Sequence, residues 1–302
     1  MFNFFKNKFS TFFTNKFDDI KLQVANGYFN SVRKKYPDLK KIDQTYYKVF
    51  SQNGEDGTLD YLIESLKIKN INFIELGVGD YSECNTRLIS MLRKCHGTII
   101  DQNPDLNINL KKKDFFYKQN LNLITKKINL NKFKTIISEL NNIDLFSIDI
   151  DGIDYWLLNE LPHNFCKIIV AEYNPLFGHK NEISVPYDSN FDRTNFHFSN
   201  LCYGASIKAI KSLLEKKGFI LFGVNDLRNN AFFIKADEIK KINCEVAADD
   251  QLEEFCNFNF RESRDIKGKL TYLNQKDSIN LISDCIVTDI KTGQNVKLSS
   301  YL

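Results

Sequence analysis

The sequence predicts an α/β fold: a mostly parallel sheet with helices on both faces and an antiparallel hairpin at one edge. Three observations predict it. Short apolar runs alternate with amphipathic stretches of helical period. The first apolar run, "INFIELGV" at 71–78, ends in a glycine-containing turn, as a buried parallel strand does. Near the end of the pattern, "FILFGVND" and "NAFFIKAD" flank the turn-like "DLRNN" and read as a hairpin.

The elements follow in order. Residues 1–50 read as helical and irregular, forming an N-terminal extension. "SQNGEDGTLDYLIESL" reads as a turn and then a helix with Leu59, Leu62, Ile63 and Leu66 on one face, capped by Ser51 or Asn53 with Glu55 and Asp56 in its first turn. After the strand at 71–78 come the helix "NTRLISMLRK", a strand "GTIID" at 97–101 and a strand expected at 114–121. "LNKFKTIISEL" is a helix, "IDLFSID" at 143–149 a strand, "YWLLNEL" a helix and "CKIIVAEYN" at 166–174 a strand. "GASIKAIKSLLEKKG" is an amphipathic helix leading into the hairpin. Residues 51–238 thus form the main domain, and 239–302 a C-terminal extension of mixed character.

Composition narrows the function. The chain has 302 residues and a formal net charge of +3, and its longest basic run is Lys111 to Lys113, so no nucleic-acid-binding face is expected. Seven cysteines without a CxxC pair indicate buried thiols in a reduced, cytoplasmic setting, and zinc is not expected. The N-terminal stretch carries Phe2, Phe5, Phe9, Phe12 and Phe13 at helical spacing among Lys6, Lys8 and Lys16. Residues 2–17 are therefore read either as a peripheral membrane contact or as a helix packed on the domain or a second subunit of a homo-oligomer.

Ligands of open α/β sheets bind beyond the carboxyl ends of the strands. There the first strand offers Glu75, Gly77 and Gly79, followed by Asn85, and the second ends in Asp101, placed for ribose hydroxyls. Glu75 and Asp80 would repel a pyrophosphate and suit a cationic ligand. Ser82 stands where a dinucleotide fingerprint wants Gly or Ala.

"FIELGVGD", "TIID", "FSIDIDG" and "IIVAEYN" together resemble the class I S-adenosylmethionine-dependent methyltransferases, and within them the FkbM-type group. The resemblance spans roughly residues 50–236, with Tyr81 standing where many members have a third glycine. It implies a Rossmann-like fold with a mostly parallel seven-stranded sheet, S-adenosylmethionine as donor, and donor contacts from Gln52, Glu55, Glu75, Gly77, Gly79, Asn85, Asp101 and Asp149. It also implies O-methylation of a sugar or glycoconjugate hydroxyl. The alternative is a non-catalytic scaffold or glycan-assembly partner that keeps the fold.

Asp149 and Asp151 end one strand and Glu172 and Asn174 the next, so neighbouring strands would bring these oxygens together. The set suits a hard divalent ion such as Mg2+, as in metal-dependent O-methyltransferases. The plainer readings are a turn shaped by Asp151 and Asp154, and a Glu172–Arg193 ion pair. Asp149, Glu172 and His197 are the catalytic candidates, with His197 as general base. The long loop 179–206 reads as a substrate lid, with Tyr187, Arg193, Asn200 and Tyr203, joined by Asn230 of the hairpin, facing the acceptor.

Overall fold

The computed structural model describes residues 2–113, 115–257 and 262–302, and of residues 2–12 only the helical backbone. The side chains of Phe2, Phe5, Lys6, Lys8, Phe9 and Phe12 therefore lie outside the described residues.

The chain opens with α1 (Phe2–Val32) and two 3-10 turns, then α2 (Glu55–Ser65), β1 (Ile71–Leu76), α3 (Arg87–Leu92) and β2 (Cys95–Asp101). α4 (Leu106–Leu110), β3 (Leu121–Thr125), α5 (Leu130–Ser138) and β4 (Leu145–Ile148) follow. Next come α6 (Asp154–Glu160), β5 (Ile168–Glu172), β6 (Ile183–Ser184), α7 (Arg193–Phe196) and α8 (Ile207–Lys216). β7 (Phe219–Val224), β8 (Asn230–Lys235), α9 (Gln275–Leu281), β9 (Ile286–Asp289) and β10 (Asn295–Lys297) complete it. Residues 115–120 do not make the expected strand. A 3-10 turn covers Phe116–Lys118, and β3 starts at Leu121.

The main sheet has seven strands in the order β3-β2-β1-β4-β5-β8-β7. β1 pairs parallel with β2, and β2 with β3, whereas β8 runs antiparallel to both β5 and β7. The hairpin thus folds inward, its second strand inserted between β5 and β7. The inserted strand is apolar enough for this: Asn230 to Ile234 are all buried. The result is a Rossmann-like arrangement, with one antiparallel strand in a mostly parallel sheet.

Two compact units divide the chain. One comprises residues 1–127, 143–147 and 240–244. Within it, β1 is buried except at Asn72, as expected for a strand covered on both faces. α1 lays Ala25 and Phe29 against Val49, Phe50 and Leu88. α2 buries Leu59, Leu62 and Ile63. Gly54, at φ +87°, precedes it, and the expected Ser51 hydroxyl accepts from Asp56 N in the first turn at 3.1 Å. The contact is reciprocal, with Asp56 reaching back to accept hydrogen bonds from the backbone N–H of Val49, Phe50 and Ser51 at 2.7, 2.7 and 2.8 Å.

The other unit comprises residues 128–142, 148–239 and 245–302. α8 starts at Ser206, whose hydroxyl accepts from Ala209 N, and buries Ile207, Ile210, Leu213 and Leu214. A small antiparallel sheet, β10-β9-β6, joins the C-terminal stretch to the loop after β5. Ile183, Val185, Leu201, Ile282, Val287 and Leu298 share its core. Loop 179–206 is thereby pinned: Val185 N donates to Gly204 O, and Ser206 N to Ile183 O. An anchored loop replaces the expected lid, because its apolar residues have a core to enter. Among the described residues no helix is long and apolar enough to cross a membrane.

Candidate active site

Each unit carries its own set of candidate residues. In the first, the chain leaves β1 through Gly77 at φ +85° and Gly79 at φ +55°, a region that glycine enters without strain. A Cβ on Gly79 would meet nothing within 4 Å, so the backbone there lies open to a guest. Asp101, the last residue of β2, accepts from Gly79 N at 2.6 Å and from Asn103 N at 2.7 Å. Tyr81 also has a left-handed backbone, at φ +60°, which explains why a glycine would suit that position. Its buried ring and a 3.0 Å hydrogen bond to Thr86 Oγ1 hold it there.

Glu75 has a structural task. Its buried carboxylate accepts from Asn85 N at 2.8 Å, from Thr86 N at 3.0 Å and from the Thr86 hydroxyl. It thereby holds the start of α3, and burial pushes its pKa up to about 6. Asn85 donates from Nδ2 to Ser147 Oγ on β4 at 3.0 Å, tying the loop across the sheet. Both residues shape the expected donor site while their side-chain groups engage the protein. Gln52 is exposed, and Glu55 is buried, accepting from Asn53 N at 2.7 Å.

Sequence reasoning overlooked Arg87. It is 2% exposed, donates to Ser82 O at 2.7 Å and to Asp18 of α1, and lies 4.3 Å from the Phe50 ring centroid. An arginine inside an otherwise apolar helix start was the available signal.

In the second unit, carboxylate oxygens of Asp149, Asp151 and Glu172 lie within 4.8 Å of one another. The three nearby aspartates have separate tasks. Asp154 is fully buried and accepts from Ile150 N at 2.9 Å and Gly152 N at 3.0 Å, so it shapes the turn; burial pushes its pKa up to about 6. Asp151, at φ +56°, pairs with Arg193 Nη1. Asp149 is half-buried beside Glu172. Gly152 is required by close approach, since a Cβ there would stand 2.5 Å from the Phe191 ring.

Glu172 is 5% exposed, and its Oε2 is buried with no hydrogen-bond partner. Asp149 and Glu172 are both held well above the ordinary carboxylate range, first by burial and then by the charges of the neighbouring carboxylates. Like charges in one buried place resist joint ionisation. Arg193 supplies part of the compensation. It donates from Nε to Asn200 O, and its guanidinium carbon lies 4.0 Å from the Tyr203 ring centroid. Burial works against its charge, but Tyr203, Asp151 and Glu172 outweigh that and push its pKa up. Its Nη2 and the Asn200 Oδ1 are buried without partners. Asn230 pairs with Glu172 in the β5–β8 register, which brings it to the same strand end.

Other expected members are held elsewhere. Asn174, expected as a metal ligand, has its amide engaged in the loop: Oδ1 accepts from Leu176 N at 3.0 Å, and Nδ2 donates to Leu201 O at 2.9 Å and Tyr203 O at 3.0 Å. A fully buried amide so engaged organises the loop. Tyr187 turns its hydroxyl to accept from Leu130 N at 3.3 Å, at the start of α5. His197 holds its Nδ1 2.6 Å from Ser199 Oγ and rests on the Phe198 ring, with burial lowering its pKa.

No protein-family model matches the chain, and no match is found among curated proteins. Three solved structures illustrate what the chain is similar to. TrmK of M. capricolum in complex with S-adenosyl-homocysteine is 14% identical over 64% of this chain and 73% of its own, with a TM-score of 0.33. Precorrin-6y C5,15-methyltransferase of Geobacter metallireducens is 16% identical over 66% and 96%, with a TM-score of 0.35. The N-terminal domain of EvdMO1 with SAH bound is 10% identical over 61% and 80%, with a TM-score of 0.37. Similarities this low do not extend to activity or acceptor, for which the side chains of this chain remain the ground.

Proposed function

We propose that the chain is an S-adenosylmethionine-dependent O-methyltransferase acting on a hydroxyl of a sugar or glycoconjugate. One observation carries the reading: the unpartnered, buried Glu172 Oε2 beside Asp149 and Asp151. A hydroxyl is a weak nucleophile at neutral pH and needs a group that takes its proton. A crowded carboxylate pair with raised proton affinity is such a group. The open glycine turn after β1 and Asp101 at the end of β2 support donor binding, with Asp101 accepting from ribose hydroxyls.

The acceptor oxygen attacks the methyl carbon in line, the carbon–sulfur bond breaks with its electron pair going to sulfur, and the hydroxyl proton passes to the Asp149–Glu172 pair. The products are a methyl ether and S-adenosylhomocysteine. Alignment of oxygen, carbon and sulfur supplies much of the acceleration. Tyr203, Arg193, Asn200 and Asn230 offer the polar groups that would orient a polyhydroxylated acceptor.

The three carboxylates also fit a hard divalent ion such as Mg2+, as all the donors are oxygens and one is unpartnered. Such an ion, when bound, supplies positive charge that lowers the pKa of a coordinated hydroxyl. Arg193 beside Asp151 favours a second, metal-free version, in which the guanidinium is the compensating charge.

Transfer of labelled methyl from S-adenosylmethionine to a panel of monosaccharides and glycosides tests the reading, with and without exhaustive EDTA treatment. Transfer that EDTA abolishes and Mg2+ restores supports the metal version. Transfer that EDTA leaves unchanged discards the metal and keeps the carboxyl pair. Methylation of amines alone would overturn the assignment to hydroxyl acceptors.

A further inference from the structure

We infer that Asp56 receives the α-ammonium group at the amino-acid end of the methyl donor, through its oxygen Oδ1. The inference rests on the reading of the chain as a binder of S-adenosylmethionine, and it adds a residue that the expected donor contacts do not include. The two oxygens of Asp56 are unlike. Oδ2 is fully used: it accepts from the N–H groups of Val49, Phe50 and Ser51 and, at 2.9 Å, from the Ser51 hydroxyl. Oδ1 is buried and has no hydrogen-bond partner among the described residues, and the whole residue is 2% exposed. A carboxylate oxygen so enclosed has lost its hydration without replacement, which is costly unless a guest supplies it.

Asp56 is tied to the glycine turn after β1. Phe50, which donates to Oδ2, accepts from Cys84 N at 3.1 Å, and the Cys84 thiol reaches Val78 O at 3.2 Å, between Gly77 and Gly79. Asp56 also stands close enough to Glu75 for its charge to help raise the pKa of that residue. Glu75 spends both oxygens on Asn85 and Thr86, so Oδ1 of Asp56 is the oxygen this pair of acids leaves for a guest. Glu55, the acid expected to meet the donor, instead accepts from Asn53 N at 2.7 Å.

Charge and valence identify the guest. Two neighbouring buried acids favour a cation. One available oxygen is too few for a divalent metal, which takes about six oxygen ligands. A primary ammonium donates at most three hydrogen bonds, and a carboxylate is its strongest acceptor. The cations of the surrounding elements are engaged elsewhere. The Arg87 guanidinium, over the Phe50 ring, donates to Ser82 O and to Asp18. Lys21 Nζ lies 5.4 Å from the centroid of the same ring, and Lys48 stands 3.8 Å from Glu83. None of them bonds Oδ1.

Calorimetric titration of the full chain with S-adenosylhomocysteine and with methylthioadenosine, which lacks the amino acid, tests the inference. Asp56→Asn keeps one oxygen for the N–H groups of Val49, Phe50 and Ser51 and turns an NH2 group toward the guest. It should weaken S-adenosylhomocysteine about tenfold or more and leave methylthioadenosine unchanged. The wild type gives a second readout that needs no variant. Burial pushes the pKa of Asp56 up to about 6, so below that value the carboxyl must lose a proton to take an ammonium. The preference for S-adenosylhomocysteine over methylthioadenosine should therefore fall about tenfold from pH 7 to pH 5. Undiminished binding of S-adenosylhomocysteine by Asp56→Asn would overturn the inference and leave the donor reading intact. Equal weakening of both ligands, or a preference that ignores pH, would overturn it too, leaving Asp56 a purely structural task. A wild-type chain that binds neither ligand would remove the donor reading itself, and this inference with it.

Discussion

The loop after β1 and the ends of β4 and β5 both gather carboxylates, yet in opposite conditions. Around β1, Glu75 is matched by the N–H groups of α3, and Asp101 by those of Gly79 and Asn103. At Glu172, a carboxylate oxygen, a guanidinium nitrogen of Arg193 and the amide oxygen of Asn200 are all buried without partners. Buried polar groups are nearly always hydrogen-bonded, so a cluster of exceptions calls for an explanation. In the first set the two carboxylates are matched within the protein, and Arg87 Nε is a buried atom left without a partner. The second is unfinished without a guest.

The comparison can be broken at Glu172, where the largest effect is expected. Glu172→Gln should lower the rate of S-adenosylhomocysteine formation about 100-fold or more. It should also raise the thermal midpoint relative to the wild type, increasingly so at higher pH. The sign follows from the raised folded-state pKa: the stabilisation is complete below the ordinary carboxylate range and is lost as pH rises through the folded value. Loss of stability at every pH would instead place Glu172 with Glu75, among the structural carboxylates.

Arg193→Ala comes next. Removing this cation leaves Asp151 and its neighbours uncompensated. Because Asp151 is more than half exposed, the loss should be about 1–2 kcal/mol, below that for a fully buried pair. Millimolar Mg2+ should restore part of the melting temperature if the carboxylates take a metal, and none if they do not.

A smaller effect sharpens the scaffold side. Asp56, Glu75 and Asp154 each have a pKa pushed by burial up to about 6. Their ordinary values lie near 4, so folding takes up protons between about pH 4 and 6. Their contribution is complete below about pH 4 and lost as pH rises through 6. The melting temperature should therefore fall by a few degrees from pH 5 to 7. Asp60 opposes this only in more acidic solution, because Arg33 and Arg93 hold its pKa down against the cost of burial. A midpoint that rises across this interval would contradict the assignment.

Much of the sheet was legible because buried parallel strands read as unbroken apolar runs and α8 as a clear amphipathic period. The inward fold of the hairpin was not, because strand order depends on pairing partners far apart in sequence. β6 is two residues long and takes its identity from β9, a hundred positions later, so no local pattern announces it. At the site, the convergence of Asp149, Asp151 and Glu172 followed from strand ends alone. The tasks of Asp154, Asn174 and Glu75 did not, since an acidic or amide side chain reads the same whether it accepts from its own loop or awaits a ligand. The Asp151–Arg193 pair joins a turn to a residue 42 positions on, which spacing does not encode.

The account rests most directly on whether the chain binds the methyl donor, and calorimetric titration of the full chain with S-adenosylhomocysteine measures that. Saturable binding at micromolar to submillimolar concentration, weakened about tenfold or more by Asp101→Ala, is the predicted result. No heat of binding up to millimolar ligand, from a chain that melts cooperatively, would contradict it.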